Sequence, residues 1–102
     1  MGLIVVLENE KGEPLETVED PTNILHRLLP DPGDTRYRSI AGIDWYGDTV
    51  FNHVQMPAFL EEWRQISSGA SAPAELSLMR AIEKMAARVA SERHLYLKFY
   101  GD

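Results

Sequence analysis

The chain contains no cysteine, which removes disulfides, thiolate metal sites and a cysteine nucleophile together. It also lacks a long apolar run: the longest stretch of branched aliphatics is Leu3 to Leu7, far short of the roughly 20 residues that cross a bilayer as a helix. No basic residue precedes Lys11, so neither a secretory leader nor a membrane anchor is expected, and the expected location is cytoplasmic. A basic footprint is missing too. Lys and Arg number 10 against 16 Asp and Glu, a formal net charge of −6, and a nucleic-acid binder needs the opposite balance to displace counterions.

The negative charge is unevenly placed. Residues 1–34 carry Glu8, Glu10, Glu13, Glu16, Glu19, Asp20, Asp31 and Asp34 against Lys11 and Arg27, whereas the remainder is balanced. A front of this kind permits a basic protein partner and also serves as solubilising charge on exposed turns. With 102 residues, 44% hydrophobic and 25% charged, the chain is sized for one domain spanning 1–102 with a core of its own.

Periodicity gives the elements. Residues 2–8 read as a central strand, and Asn9-Glu10-Lys11-Gly12 as a turn into a returning edge strand over Glu13 to Glu19. Asp20-Pro21 opens a short helix to Leu29 with Ile24, Leu25, Leu28 and Leu29 on one face, ended by Pro30-Asp31-Pro32-Gly33-Asp34. Arg38 to Asp44 reads as a strand with a bulge or close approach at Gly42. A tight turn Trp45-Tyr46-Gly47-Asp48 joins it to a partner strand Thr49 to His53. A helix follows from Pro57 to Ser67, with Phe59, Leu60, Trp63 and Ile66 as its stripe. After a connector, a longer helix runs from about Ala74 to Glu92 with Leu76, Met79, Ile82, Met85 or Ala86, and Val89 inward. Leu95 to Tyr100 alternates as a strand with one buried face, and Leu3 to Leu7 is its natural neighbour. The expected fold is α+β: about five strands in a mainly antiparallel sheet with two or three helices on one face, in the order ββα-ββ-αα-β.

Chemistry-bearing residues are densest from Asp44 to His53. Asp44, Trp45, Tyr46, Asp48, Thr49 and Asn52 are the candidate partner-binding residues, because large aromatics on a turn offer contact area at little entropic cost. Asp44, Asp48 and His53 are the alternative, a metal-assisted hydrolase site, although their spacing matches neither a calcium loop nor a two-metal motif. Simple turn chemistry accounts for the same residues: Gly47 at positive φ, Asp48 or Thr49 capping amides, and the aromatics shielding a hairpin. His26, His53 and His94 form no zinc motif, and no nucleophile elbow or phosphate loop exists. Arg80, Lys84 and Arg88 make a basic stripe that suits an acidic partner or this chain's own acidic front. No cofactor is expected.

Two stretches, Tyr46-Gly47-Asp48-Thr49-Val50-Phe51-Asn52 and His94-Leu95-Tyr96-Leu97-Lys98-Phe99-Tyr100-Gly101-Asp102, carry a resemblance to a family of small uncharacterised bacterial proteins. That family shares a Tyr-Gly-Asp-Thr-Val-Phe-Asn centre and a Leu-Tyr-Leu-x-Phe-x-Gly-Asp C-terminus. The likeness spans about Asp44 to Asp102, with Trp45 standing where members often carry proline. It implies a bacterial origin and brings no activity with it. The residues favour a non-catalytic binding or accessory protein, such as an immunity-type inhibitor of a basic partner, over an enzyme; self-association into a homodimer is a further expectation.

Overall fold

The computed structural model describes residues 2–101. Strands β1 (Ile4–Asn9) and β2 (Pro14–Glu19) form a hairpin, followed by α1 (Ile24–Leu28), β3 (Asp48–Phe51), α2 (Met56–Ser67), α3 (Pro73–Ser91) and β4 (Leu95–Tyr100). The sheet is antiparallel with spatial order β2-β1-β4-β3. β1 and β4 are thus the central pair, as their apolar patterns require, with Val5 opposite Phe99 and Leu7 opposite Leu97.

Among the described residues the sheet has four strands, not five. Arg38 to Asp44, expected as a strand, is a loop with one 3₁₀ turn at Ile40–Gly42. Ile40, Ala41 and Ile43 are all buried, a spacing that alternation cannot satisfy. The loop's amides find partners outside the sheet: Glu62 of α2 accepts from Ser39 N and Ile40 N at 3.0 to 3.2 Å, and Tyr37 O accepts from Ala41 N. With its backbone groups met this way, the segment has no need of a ladder. Gly42 makes no close approach and marks no bulge. β3, left without that partner, pairs with β4 and ends at Phe51. Asn52 and Gln55 exchange side-chain and backbone bonds around a 3₁₀ turn, His53–Gln55, which leads straight into α2.

α1 is shorter than its sequence suggests. Asn23 adopts φ 57, which a helix does not admit, so the helix starts at Ile24 rather than Pro21. Asp20 still does the work of a cap from further away: its buried carboxylate accepts from Ile24 N and Leu25 N, each at 2.8 Å.

All helices lie on one face. Val5, Leu7, Phe51, Leu97 and Phe99 meet Phe59, Trp63, Met79, Ile82, Met85 and Val89 in a single apolar cluster. Phe59 stacks on Trp63 with centroids 5.4 Å apart, and Trp63 Nε1 donates to Met79 O at 3.0 Å, tying α2 to α3 and leaving no indole donor unpaired in the core. Among the described residues no helix is long and apolar enough to cross a membrane.

Candidate functional site

The turn before β3 is held by its own side chains. Asp44 Oδ1 accepts from Tyr46 N at 2.9 Å, Thr49 Oγ1 accepts from Asp44 N at 2.8 Å, and Gly101 N donates to Gly47 O at 2.7 Å. Thr49 and Asp44, not Asp48, therefore bind the turn's amides. Gly47 does not take the positive φ expected of it. Its lack of a side chain serves close approach instead, since a Cβ there would sit 2.6 Å from Asp44 Oδ2. Gly101 is similarly confined, with Trp45 O 2.4 Å from where its Cβ would stand.

The two aromatics of the turn part company. Trp45 is half-buried and meets the His26 ring edge-on at 5.2 Å, bracing the turn against α1. Tyr46 is 86% exposed, and Asp44 and Asp48 are exposed on either side of it. Asp48 makes no side-chain hydrogen bond or ion pair among the described residues. Asn52 is committed to the Gln55 cap.

His53 is not drawn to these carboxylates. Its Nδ1 lies 3.0 Å from Val89 O, so the imidazole donates to the backbone of α3. No group of three or more His, Asp or Glu side chains among the described residues is placed to hold a metal ion. Asp44, Asp48 and His53 are thus not brought together.

The acidic front is largely consumed by the scaffold. Glu16 pairs with Arg88 at 2.9 Å, Glu10 with His94 at 3.4 Å and Asp34 with Arg36 at 2.9 Å; Glu13 accepts from Asn9, and Asp20 caps α1. Arg88 of the basic stripe thereby faces the chain's own front, and its bonds to Glu92 and Glu16 raise its pKa. Arg80 and Lys84 remain exposed. Only the carboxylates of Glu19 and Asp31 in the front make no hydrogen bond or ion pair among the described residues.

Glu8 belongs to a cluster that single-strand patterns do not reveal. Glu8 of β1 and Lys98 and Tyr100 of β4 all point to the face that no helix covers. Lys98 Nζ lies 3.3 Å from Glu8 Oε1, and the Tyr100 hydroxyl, reaching back along its strand, donates to Glu8 Oε2. Glu8 is only 5% exposed, and Lys98 also sits 5.5 Å from the centre of the Tyr100 ring. Donation to the Glu8 carboxylate, with burial adding to it, raises the Tyr100 pKa; hydrogen bonds to Tyr100 and then Glu8 raise that of Lys98. The signal was parity: Glu8 shares a face with Ile4 and Val6, and Lys98 with Tyr100, but only the β1–β4 register brings the two rows together.

A surface depression of about 500 Å³ at the Ile4 end of β1, away from Glu8, is bounded by Ile4, Glu19, Asp20 and Tyr100. Asp20 is engaged with α1 and Tyr100 with Glu8, so Glu19 is its one uncommitted charged side chain. The chain matches no family model, no curated protein and no solved structure.

Proposed function

We propose that this chain is a small non-catalytic binding or accessory protein of the bacterial cytoplasm that takes a basic protein partner through the Asp44–Asp48 turn, as an immunity-type inhibitor does. The observation that carries this reading is the state of Tyr46: 86% exposed on a turn whose backbone is fixed at Asp44, Tyr46 and Gly47. An exposed aromatic on a fixed backbone has only two side-chain torsions left to order on binding, and such residues dominate contact energies. The charge preference rests on Asp44 and Asp48 beside it rather than on the acidic front, most of which is satisfied internally. Among the described residues the Asp44 carboxylate accepts only from the Tyr46 amide, two residues on, which leaves its second oxygen for a Lys or Arg.

Capture from a bacterial lysate with four baits tests this: the wild-type chain, Tyr46→Ala, Asp48→Asn and Asp44→Asn. An Asn at 44 retains the oxygen that accepts from Tyr46 N, so charge is removed with the turn intact. A basic protein should be recovered, released by moderate salt, and bound roughly 30-fold or more weakly by Tyr46→Ala. Each Asn variant should weaken capture and reduce its salt sensitivity. Partners without basic character, or capture indifferent to Tyr46→Ala, would refute the reading.

A further inference from the structure

The two edges of the sheet are built differently. β2 opens with Pro14, follows an exposed Glu13 and exposes Glu16 and Glu19 along its length, the usual means of refusing another strand. β3 has no proline and one ionised residue, Asp48. Beside it stand three of the most exposed large apolar side chains of the molecule, Tyr46, Val50 and Val54, at 86%, 46% and 82%.

The direction of the unused backbone groups follows from the ladder. Gly101 N donates to Gly47 O, so these residues are a hydrogen-bonded pair. In an antiparallel ladder such pairs alternate, which makes Thr49–Phe99 and Phe51–Leu97 the next ones and turns the N–H and C=O of Asp48 and Val50 away from β4. Val50 therefore offers a donor, an acceptor and an exposed side chain at a free edge.

The exposed apolar residues are also evenly spaced in sequence about Val50, with Tyr46 in the turn before β3 and Val54 in the 3₁₀ turn after it. In an antiparallel register that sets Val50 against itself, the Tyr46 end of one chain meets the Val54 end of the other, and this happens twice. Asp48 then lies opposite Asn52, a carboxylate facing an amide rather than a second carboxylate. Isologous interfaces require this self-matching. We propose that β3 pairs with β3 of a second copy about a two-fold axis through Val50, joining two four-stranded sheets into one. At the axis the two Val50 residues exchange both backbone bonds. On either side Asp48 N–H donates to the second lone pair of the Asn52 carbonyl of the second copy, whose first accepts from Gln55 N at 3.2 Å, and no return bond forms because the Asn52 N–H is held by Gln55 Oε1 at 2.7 Å. Between Tyr46 and Val54 the only carboxylate is Asp48, so the contact adds little like-charge repulsion to a chain of net charge −6.

The strip is short, so the dimer belongs with small, weak interfaces and forms at micromolar to millimolar concentration. Tyr46 is common to this strip and to the proposed partner surface; oligomeric state is measured on the purified chain alone, so either proposal can fail without the other. Sedimentation velocity from about 1 µM to about 1 mM should show a monomer giving way to a dimer, and Val50→Lys should raise the dissociation constant at least tenfold. The chain has no cysteine, so Val50→Cys and Leu15→Cys each carry one thiol, on opposite edges and at matched exposure, 46% and 45% in the parent residues. A hydrogen-bonded antiparallel pair sets Cα atoms about 5.5 Å apart, within disulfide reach. With oxidised glutathione as oxidant, Val50→Cys should cross-link at least tenfold faster than Leu15→Cys. A monomer across the whole range, equal cross-linking rates, or a dimer untouched by Val50→Lys would each overturn the proposal.

Discussion

Alternate residues of the central strands β1 and β4 face two different environments. On the helix side Val5, Leu7, Leu97 and Phe99 are each 0% exposed and belong to the apolar cluster, so their contribution is area removed from water. On the other side Val6 and Glu8 are nearly as buried, at 7% and 5%, yet no helix lies over them. Their cover is made of neighbouring side chains: Tyr100 stretched along its strand, and Lys98 with its stem down and its ammonium toward Glu8. One face is stabilised by packing between layers, the other by polar groups that satisfy one another. The two should fail in different ways.

The largest effect is expected on the covered face. Phe99→Ala removes a ring that contacts Phe51, Phe59 and Trp63, and the loss should be about 3–5 kcal/mol in denaturant unfolding. A smaller loss would mean that α2 and α3 settle onto the sheet more readily than close packing allows.

On the open face, Lys98→Met strands the Glu8 carboxylate with a single donor and should cost about 1–3 kcal/mol. The comparison sharpens with the triple change Glu8→Leu, Lys98→Met, Tyr100→Phe, which removes every member of the network. Since an unpaired charge costs more than an apolar replacement of the whole set, the triple variant should be more stable than Lys98→Met alone. The reverse order in urea midpoints would show that the network supplies net stability.

The same groups give the open face a pH dependence that the covered face lacks. Tyr100 and Lys98 both have pKa values raised in the fold above their ordinary 10.0 and 10.5. Their contribution is therefore fully present below those values and is lost as pH rises through the folded ones. Thermal midpoints should fall above pH 10, and the triple variant should fall less steeply; equal slopes would remove the network from the account.

The contrast also explains what was legible in the sequence. α2, α3 and β4 are read correctly because each displays its period on its own: Phe59, Leu60, Trp63 and Ile66 need no knowledge of their partners to be recognised as a stripe. Arg38 to Asp44 was misread because what determines its shape lies 22 and 23 residues away, in the Glu62 carboxylate that takes up its amides. Pairing sets the limit at the open face as well. Glu8 looks like one more member of an acidic front until the register places Lys98 and Tyr100 beside it. The turn at Asp44–Asp48 is legible in part: residue types announce a bend, but only the fold separates Trp45, turned inward on His26, from Tyr46, turned out.

The smallest effect is expected where the open face meets the free edge. Val50 and Phe51 are adjacent in β3, yet Phe51 is 4% exposed and Val50 46%, because successive strand residues point to opposite faces. Val50→Thr keeps the β-branched shape and adds a hydroxyl that water can reach, so dilute protein should change by no more than about 0.5 kcal/mol. Concentration turns this near-silent position into a test. If β3 pairs with a second copy, dimer formation raises the wild-type thermal midpoint with protein concentration by mass action, and the Thr hydroxyl, desolvated at the axis, reduces that rise. Parallel shifts of the two proteins with concentration would mean that Val50 meets only solvent. Divergence would mean that the outward face of β3 is stabilised from outside the chain, as its inward face is stabilised by Phe59.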